Sequence, residues 1–239
     1  MGVLQYIPAK DFYATTEPNQ YKIGQFCWIV SPAINPIPLI FDVERRDPQE
    51  HAEVKYFVRN ADADRDFRAA DRILPLKYLN LRSHEELLLQ RAKKRPGIII
   101  SNGLDIYDEI KLLLTERSKK HLQEDSLFIV PCYGVETGSD LRGFPSQMVQ
   151  RIRCLLYRQF FYLPASSPFE EGVARFDRIQ VVVGRNRAAI EPTDKCLSEP
   201  AFALFLSLFV YCITGVADGD LSTIISMTRE CYSGTSGKN

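Results

Sequence analysis

The chain has 239 residues, 45% of them hydrophobic, with thirty basic side chains balanced by thirty acidic ones. That is enough apolar material for one well-filled core, or for a core carrying a large insertion. The zero net charge excludes a protein coated in positive charge for nucleic acid, yet leaves room for a local basic patch.

Met1 to Lys10 has no cationic start followed by an apolar run, so no signal peptide is expected. The six cysteines, Cys27, Cys132, Cys154, Cys196, Cys212 and Cys231, form no CxxC pair and read as buried, reduced thiols. His51, His84 and His121 are scattered, so no metal site or other cofactor is expected. The most apolar stretch, Ala201 to Ile213, is too short to span a bilayer and suits a buried helix. The expected location is the cytoplasm, without a membrane partner.

In chain order, residues 1–20 read as an irregular lead-in. Tyr21 to Val30 reads as a buried strand entered through Gly24, because aromatic and β-branched residues dominate it. Ser31-Pro32 ends it. Val54 to Val58 is a candidate strand, and Asn60 to Arg72, dense in Asp and Arg, reads as a solvated loop or helix face. Ile73 to Leu81 offers another short strand or turn. Ser83-His84-Glu85-Glu86 has the capping-box pattern, which predicts a helix through Leu87-Leu88-Leu89 to about Lys93. Gly97 to Ser101 is a second strand.

Asp105 is expected to cap a helix to about Gln123, with Ile106, Ile110, Leu113 and Leu114 on one face. Leu127 to Cys132 is a third strand. Thr137 to Gly143 is a polar loop. Ser146 is expected to cap a helix that aligns Met148, Ile152, Leu155 and Leu156. Phe160 to Leu163 is a short strand, and Arg175 to Val183 another. Pro192 to Ile213 reads as mostly helix with a break near Pro200, and Asp220 to Glu230 as a last short helix. The tail, 233–239, reads as disordered. Short strands punctuated by Pro and Gly, with a closing helix, predict an α+β fold: a small SH3-like β-barrel or a curled antiparallel sheet with inserted helices and a C-terminal helix.

Three stretches, in order, resemble MazF/PemK-type toxins. Ile23-Gly24-Gln25-Phe26-Cys27-Trp28-Ile29-Val30 resembles their opening strand. Lys94-Arg95-Pro96-Gly97-Ile98-Ile99-Ile100-Ser101-Asn102 resembles their Arg-Pro strand, and Val130-Pro131-Cys132 the strand ending in Val-Pro. Weaker echoes follow at Gly172 to Ile179 and at Pro192 to Gly215. The resemblance implies one MazF/PemK-like domain over 1–239, with 34–93 as a large insertion between the first two core strands.

It further implies a homodimeric, metal-independent endoribonuclease that cuts single-stranded RNA and is restrained by an antitoxin protein. The chemistry is attack of a ribose 2′-OH on the adjacent phosphate. Arginine suits the crowded phosphorane because its planar fork meets two oxygens and stays charged; this role falls on Arg95. The family's second catalytic position, a threonine, is Tyr133 here. Its hydroxyl stands further from the backbone, and Thr137 and Ser139 lie nearby as substitutes. Lys93 and Lys94, with Arg117, Lys119 and Lys120, are candidate phosphate contacts. Asp177 and Arg178 stand at the family's Asp-Gln pair, either as substrate contacts or as a strand-surface charge pair. Two other readings stay open: a non-catalytic nucleic-acid- or protein-binding module on the same fold, and an unrelated α+β protein.

Overall fold

The computed structural model describes residues 2–45, 54–67, 84–101, 103, 107–122, 124–186 and 188–236. The strands are β1 (Tyr13–Thr15), β2 (Gln25–Pro32), β3 (Leu39–Arg45), β4 (Val54–Asn60), β5 (Ala92–Ser101), β6 (Ser126–Gly134), β7 (Phe160–Leu163), β8 (Gly172–Arg175), β9 (Gln180–Val183) and β10 (Ile190–Leu197). The α-helices are α1 (Asp108–Glu116), α2 (Ser146–Arg153), α3 (Glu199–Thr214) and α4 (Gly219–Ser236). The chain forms two compact units: Met1–Ser31 with Lys94–Asn239, and Pro32–Lys93.

The fold is α+β. An eight-stranded sheet runs β1-β10-β2-β5-β6-β8-β7, with β9 also on β6, and it does not close into a barrel. Adjacent residues on the central strands alternate between two apolar clusters. Phe26, Ile98 and Val130 belong to one, with Ala201, Leu204, Phe205 and Leu208 of α3. Cys27, Ile29, Ile99, Leu127, Ile129 and Ile190 form the other. A period of two sends neighbouring side chains to opposite faces, so strands buried on both faces read as continuous hydrophobic runs. Those runs are what make β2, β5 and β6 legible in the sequence. On α3 the buried residues fall at helical spacing on one face.

Gly97 is required where β5 enters this layer. A Cβ there would stand 2.6 Å from Ile129 Cγ2 and 3.3 Å from Ile29 Cδ1. Among the described residues no single helix is long and apolar enough to cross a membrane. The five cysteines with described side chains carry free thiols.

Four local expectations fail, the first three against a tertiary demand. Residues 84–91 are not helical; Ser83 lies outside the described residues. Leu87 and Leu89 instead exchange backbone hydrogen bonds with β3: Phe41 N–H donates to Leu87 O (2.8 Å), and Leu89 N–H to Leu39 O (2.9 Å). A free strand edge supplies what a capping box alone does not. Pro192 to Leu197 is strand, not helix. It fills the gap between β1 and β2, with a register shift between Pro192 and Cys196 that accommodates the proline. Helix α3 begins only after Ser198, with Pro200 in its first turn, where a missing N–H costs nothing.

Arg175 to Val183 is not one strand. A 3₁₀ turn, Phe176–Arg178, separates β8 from β9. Both pair with the same edge of β6, but the register moves by three residues between Cys132↔Ala174 and Ile129↔Gln180. Pro131 lies at this discontinuity and has no N–H to give the ladder. Helix α1 is shorter than expected and buries no residue; Ile110 and Leu113 of its expected apolar face are exposed, and Asp105 and Ile106 lie outside the described residues.

Pro145, not Ser146, occupies the N-cap of α2. Helix α4 continues to Ser236, into the tail read as disordered. The expected strand or turn at Ile73 to Leu81 lies outside the described residues.

Candidate functional site

β5 and β6 pair antiparallel with Gly97 opposite Pro131 and Ile99 opposite Ile129. Continuing that register by two residues sets Arg95 opposite Tyr133. On the other edge of β6, Tyr133 faces Val173, and Arg175 lies two residues further along β8 on the same face. Opposite and diagonal cross-strand neighbours are within reach of long side chains. The guanidinium carbon of Arg95 stands 4.3 Å from the centre of the Tyr133 ring, and that of Arg175 stands 5.1 Å from it. Arg175 also lies 5.6 Å from the Phe160 ring.

The loop after β6 closes over this cluster. Phe144 N–H donates to Gly134 O (3.0 Å), and Glu136 N–H donates to Phe144 O (3.0 Å). Gly143 permits the approach: a Cβ there would lie 2.4 Å from the backbone carbon of Val135. The result is a cleft of about 290 Å³ walled by Arg95, Tyr133, Arg142, Phe144, Met148 and Arg175.

The charges in the cleft are not equivalent. Arg175 is held by Asp177 through two hydrogen bonds, Nε–Oδ1 at 3.0 Å and Nη2–Oδ2 at 2.5 Å. Arg142 is paired with Asp140 at 2.8 Å. These carboxylates push both guanidinium groups toward the charged form. Arg95 has no carboxylate partner among the described residues. Stacking uses the face of its guanidinium, so the N–H donors around the edge stay available to an anion.

The remaining sequence candidates lie outside the cleft. Asp177 and Arg178 occupy the 3₁₀ turn, where the Asp177 carboxylate serves Arg175 and, at 3.5 Å, Arg178. Neither lines the arginine cleft; the two side chains share a charge network with Arg175. Lys94 is exposed and spends its charge on Glu191 at 2.5 Å. Lys93 is exposed near the start of β5 and lines neither the arginine cleft nor the cavity beside it. Arg117, Lys119 and Lys120 follow α1, and Thr137 and Ser139 lie in the loop after β6; none of these lines the cleft. Sequence reasoning missed Arg175 and Arg142. Arg175 had a signal, the Arg-x-Asp spacing that puts residues 175 and 177 on one side of an extended chain. Arg142 had none, because the fold of its loop decides where it stands.

A second cavity, of about 340 Å³, adjoins the first, with Tyr133 and Gly134 lining both. Phe26, Trp28 and Phe169 line it, with the Phe169 ring 4.9 Å from Phe26 and 5.7 Å from Trp28. Tyr13 O–H donates to Pro164 O (2.6 Å), and burial pushes its phenol pKa up. Cys132 also lines this cavity, and burial holds its thiol well above the usual range, which suits a packing role rather than a nucleophile. Glu171 accepts from Tyr162 O–H (2.6 Å) and from Arg153 Nη2. Burial, reinforced by Glu171, pushes the Tyr162 phenol up to about 12.

Among the described residues no carboxylate or imidazole lines the arginine cleft. Among the described residues no cluster of His, Cys, Asp and Glu side chains is placed to hold a metal ion. No known protein-family model, curated protein or solved structure matches this chain. The resemblance to MazF/PemK-type toxins therefore rests on the three short stretches and the two weaker echoes in the sequence.

Proposed function

We propose that the cleft around Tyr133 binds a phosphodiester of single-stranded RNA. One observation carries this reading: Arg95 is half-buried, stacked on Tyr133, and has no carboxylate partner among the described residues, while the arginines beside it each have one. The stack fixes the guanidinium plane, and its free edge offers paired donors to two phosphate oxygens. Tyr133 adds a hydroxyl and an aromatic face, a combination suited to unpaired nucleotides.

A second reading makes the same cleft a metal-independent endoribonuclease, active as a toxin, dimeric and restrained by an antitoxin. It is favoured by the arginine and the phenol sharing one cleft. The ribose 2′-OH would give up its proton to water and attack phosphorus, the P–O5′ bond would break, the 5′-oxygen would leave with a proton, and a 2′,3′-cyclic phosphate would remain. Arg95 would stabilise the phosphorane, and Tyr133 is the nearest proton carrier. Cleavage by this route needs a proton acceptor for the 2′-OH as well as a donor for the 5′-oxygen, whereas binding needs neither.

One experiment separates the readings. Labelled single-stranded RNA is incubated in EDTA with wild type and Arg95→Ala. Binding by wild type, weakened in the variant, supports the cleft. Fragments ending in cyclic phosphate, lost in the variant, support the enzyme. RNA that binds and stays intact supports the module. Equal behaviour of the two proteins removes both readings.

A further inference from the structure

The aromatic cavity next to the cleft has no part in gripping a phosphate. Its volume falls in the range of ligand sites, about 300–1,000 Å³. Its wall of Phe26, Trp28 and Phe169 is apolar, whereas Glu170 and Glu171 are acidic. Glu171 is already engaged by Arg153 and Tyr162. Glu170 is exposed and has no hydrogen-bond partner among the described residues. Tyr133, on whose ring Arg95 stacks, lines both cavities together with Gly134.

We propose that this cavity is a base-binding subsite for a guanine belonging to the RNA whose phosphate lies in the arginine cleft. The proposal rests on the cleft being a phosphate site. A flat ring suits an aromatic wall, because every base has a π-face to stack. Ionised carboxylates only accept hydrogen bonds, so the edge of the base must donate. Guanine presents N1–H and the N2 amino group side by side, a pair that matches the two oxygens of Glu170. Uracil turns a carbonyl oxygen toward the carboxylate on either side of its single N–H. Adenine and cytosine offer an amino group next to a bare ring nitrogen, whose lone pair opposes the second oxygen. The lining shared at Tyr133 and Gly134 sets base and phosphate as neighbours on one strand.

Trp28 is the only tryptophan in the chain and lines this cavity, so its fluorescence reports occupancy. The full chain is titrated in EDTA with short 2′-O-methyl oligouridylates, which resist cleavage. These carry one central guanine, adenine, uracil or abasic site; free guanosine is a separate arm. The guanine oligomer is expected to change Trp28 emission and to bind about tenfold more tightly than the uracil or abasic ones, within the range of a stacked base. Glu170→Gln, at an exposed position, is expected to erase that preference while leaving uracil binding unchanged. Arg95→Ala is expected to weaken every oligomer alike and to leave the guanine preference intact.

Equal binding of guanine, uracil and abasic oligomers, with Trp28 emission unchanged, overturns the subsite and leaves the arginine cleft standing. A guanine preference that survives Glu170→Gln overturns the carboxylate readout. Guanosine that alters Trp28 emission when no oligomer binds retains the base site and removes the cleft reading. Silence in every arm removes both.

Discussion

Arg59 on β4 and Arg95 on β5 are both half-buried strand arginines, and their surroundings differ in kind. Arg59 belongs to the two-stranded β3–β4 sheet of the second unit. Its Nε meets Asp42 at 2.9 Å, and its Nη1 and Nη2 meet Asp66 at 2.7 and 2.6 Å. Asp66 is only 3% exposed and also accepts from Asp62 N–H (2.7 Å). Three donors of Arg59 are therefore committed, and the charge is neutralised where it stands. Tyr56, Phe57 and Val58 on the same strand remain exposed, and a two-stranded sheet has little core of its own. The ion-pair network does the work that packing does elsewhere. Arg95 stands in a well-packed sheet that does not need its charge. Its guanidinium rests on Tyr133 and keeps its donors for something else. An arginine that stabilises and an arginine that binds are told apart by where their donors end.

The strongest way to break this contrast is Arg59→Ala. It removes the two Arg59 bonds from the buried Asp66 carboxylate, at a cost of about 3 kcal/mol. The expected readout is loss of hydrogen-exchange protection in β3 and β4. If their amides stay protected, the network is ornamental.

A second arginine in the larger unit sharpens the comparison. Arg153 lies 4.5 Å from the Tyr162 ring but, unlike Arg95, is also committed to Glu171. With its phenol pKa raised from 10 to about 12, Tyr162 favours the folded state below pH 10 and loses that contribution as pH rises toward 12. The loss is on the order of 2 kcal/mol. Urea midpoints across this window are expected to fall in wild type and to fall less in Tyr162→Phe. Equal slopes would show that the phenol is not held neutral by the fold.

Arg95→Ala is expected to cost about 1 kcal/mol of stability, the worth of a half-buried cation–π contact. It should weaken RNA binding about tenfold and lower the salt slope by about one. A large loss of stability with unchanged binding would place Arg95 in the same class as Arg59. The smallest effect belongs to Lys94→Gln. Its pair with Glu191 is 59% and 47% exposed at the two side chains, so its loss should change stability by no more than about 0.5 kcal/mol. A tenfold loss of RNA affinity in that variant would extend the site beyond the cleft.

The local expectations that held and those that failed differ in what they had to resist. β7 forms over the whole of Phe160 to Leu163 because all four side chains are buried. The capping box before Leu87 has no comparable burial behind it: Leu88 and Leu89 are exposed. Extended pairing with β3 therefore prevails over a helix signal. Of the site, Arg95 and Tyr133 were legible, because each belongs to a strand that reads clearly and the two strands are neighbours. Arg175 was obscured because the turn after it looks, in sequence, like more strand.

By itself, then, the sequence determined the elements buried on both faces or along one helical stripe: β2, β5, β6, β7 and α3. Burial forces a repeating apolar pattern, and that pattern is visible without coordinates. Only the tertiary structure decided the rest. β10 took a proline-bearing segment as strand because two strand edges needed a partner. β8 and β9 parted because β6 interrupts its ladder at Pro131. The cleft came into being where β5, β6, β8 and the loop through Gly143 converge, and its one arginine without a carboxylate partner among the described residues is a property of that convergence. Donor and acceptor counts close in three dimensions, between residues far apart in the chain, and no local pattern records which will be left over.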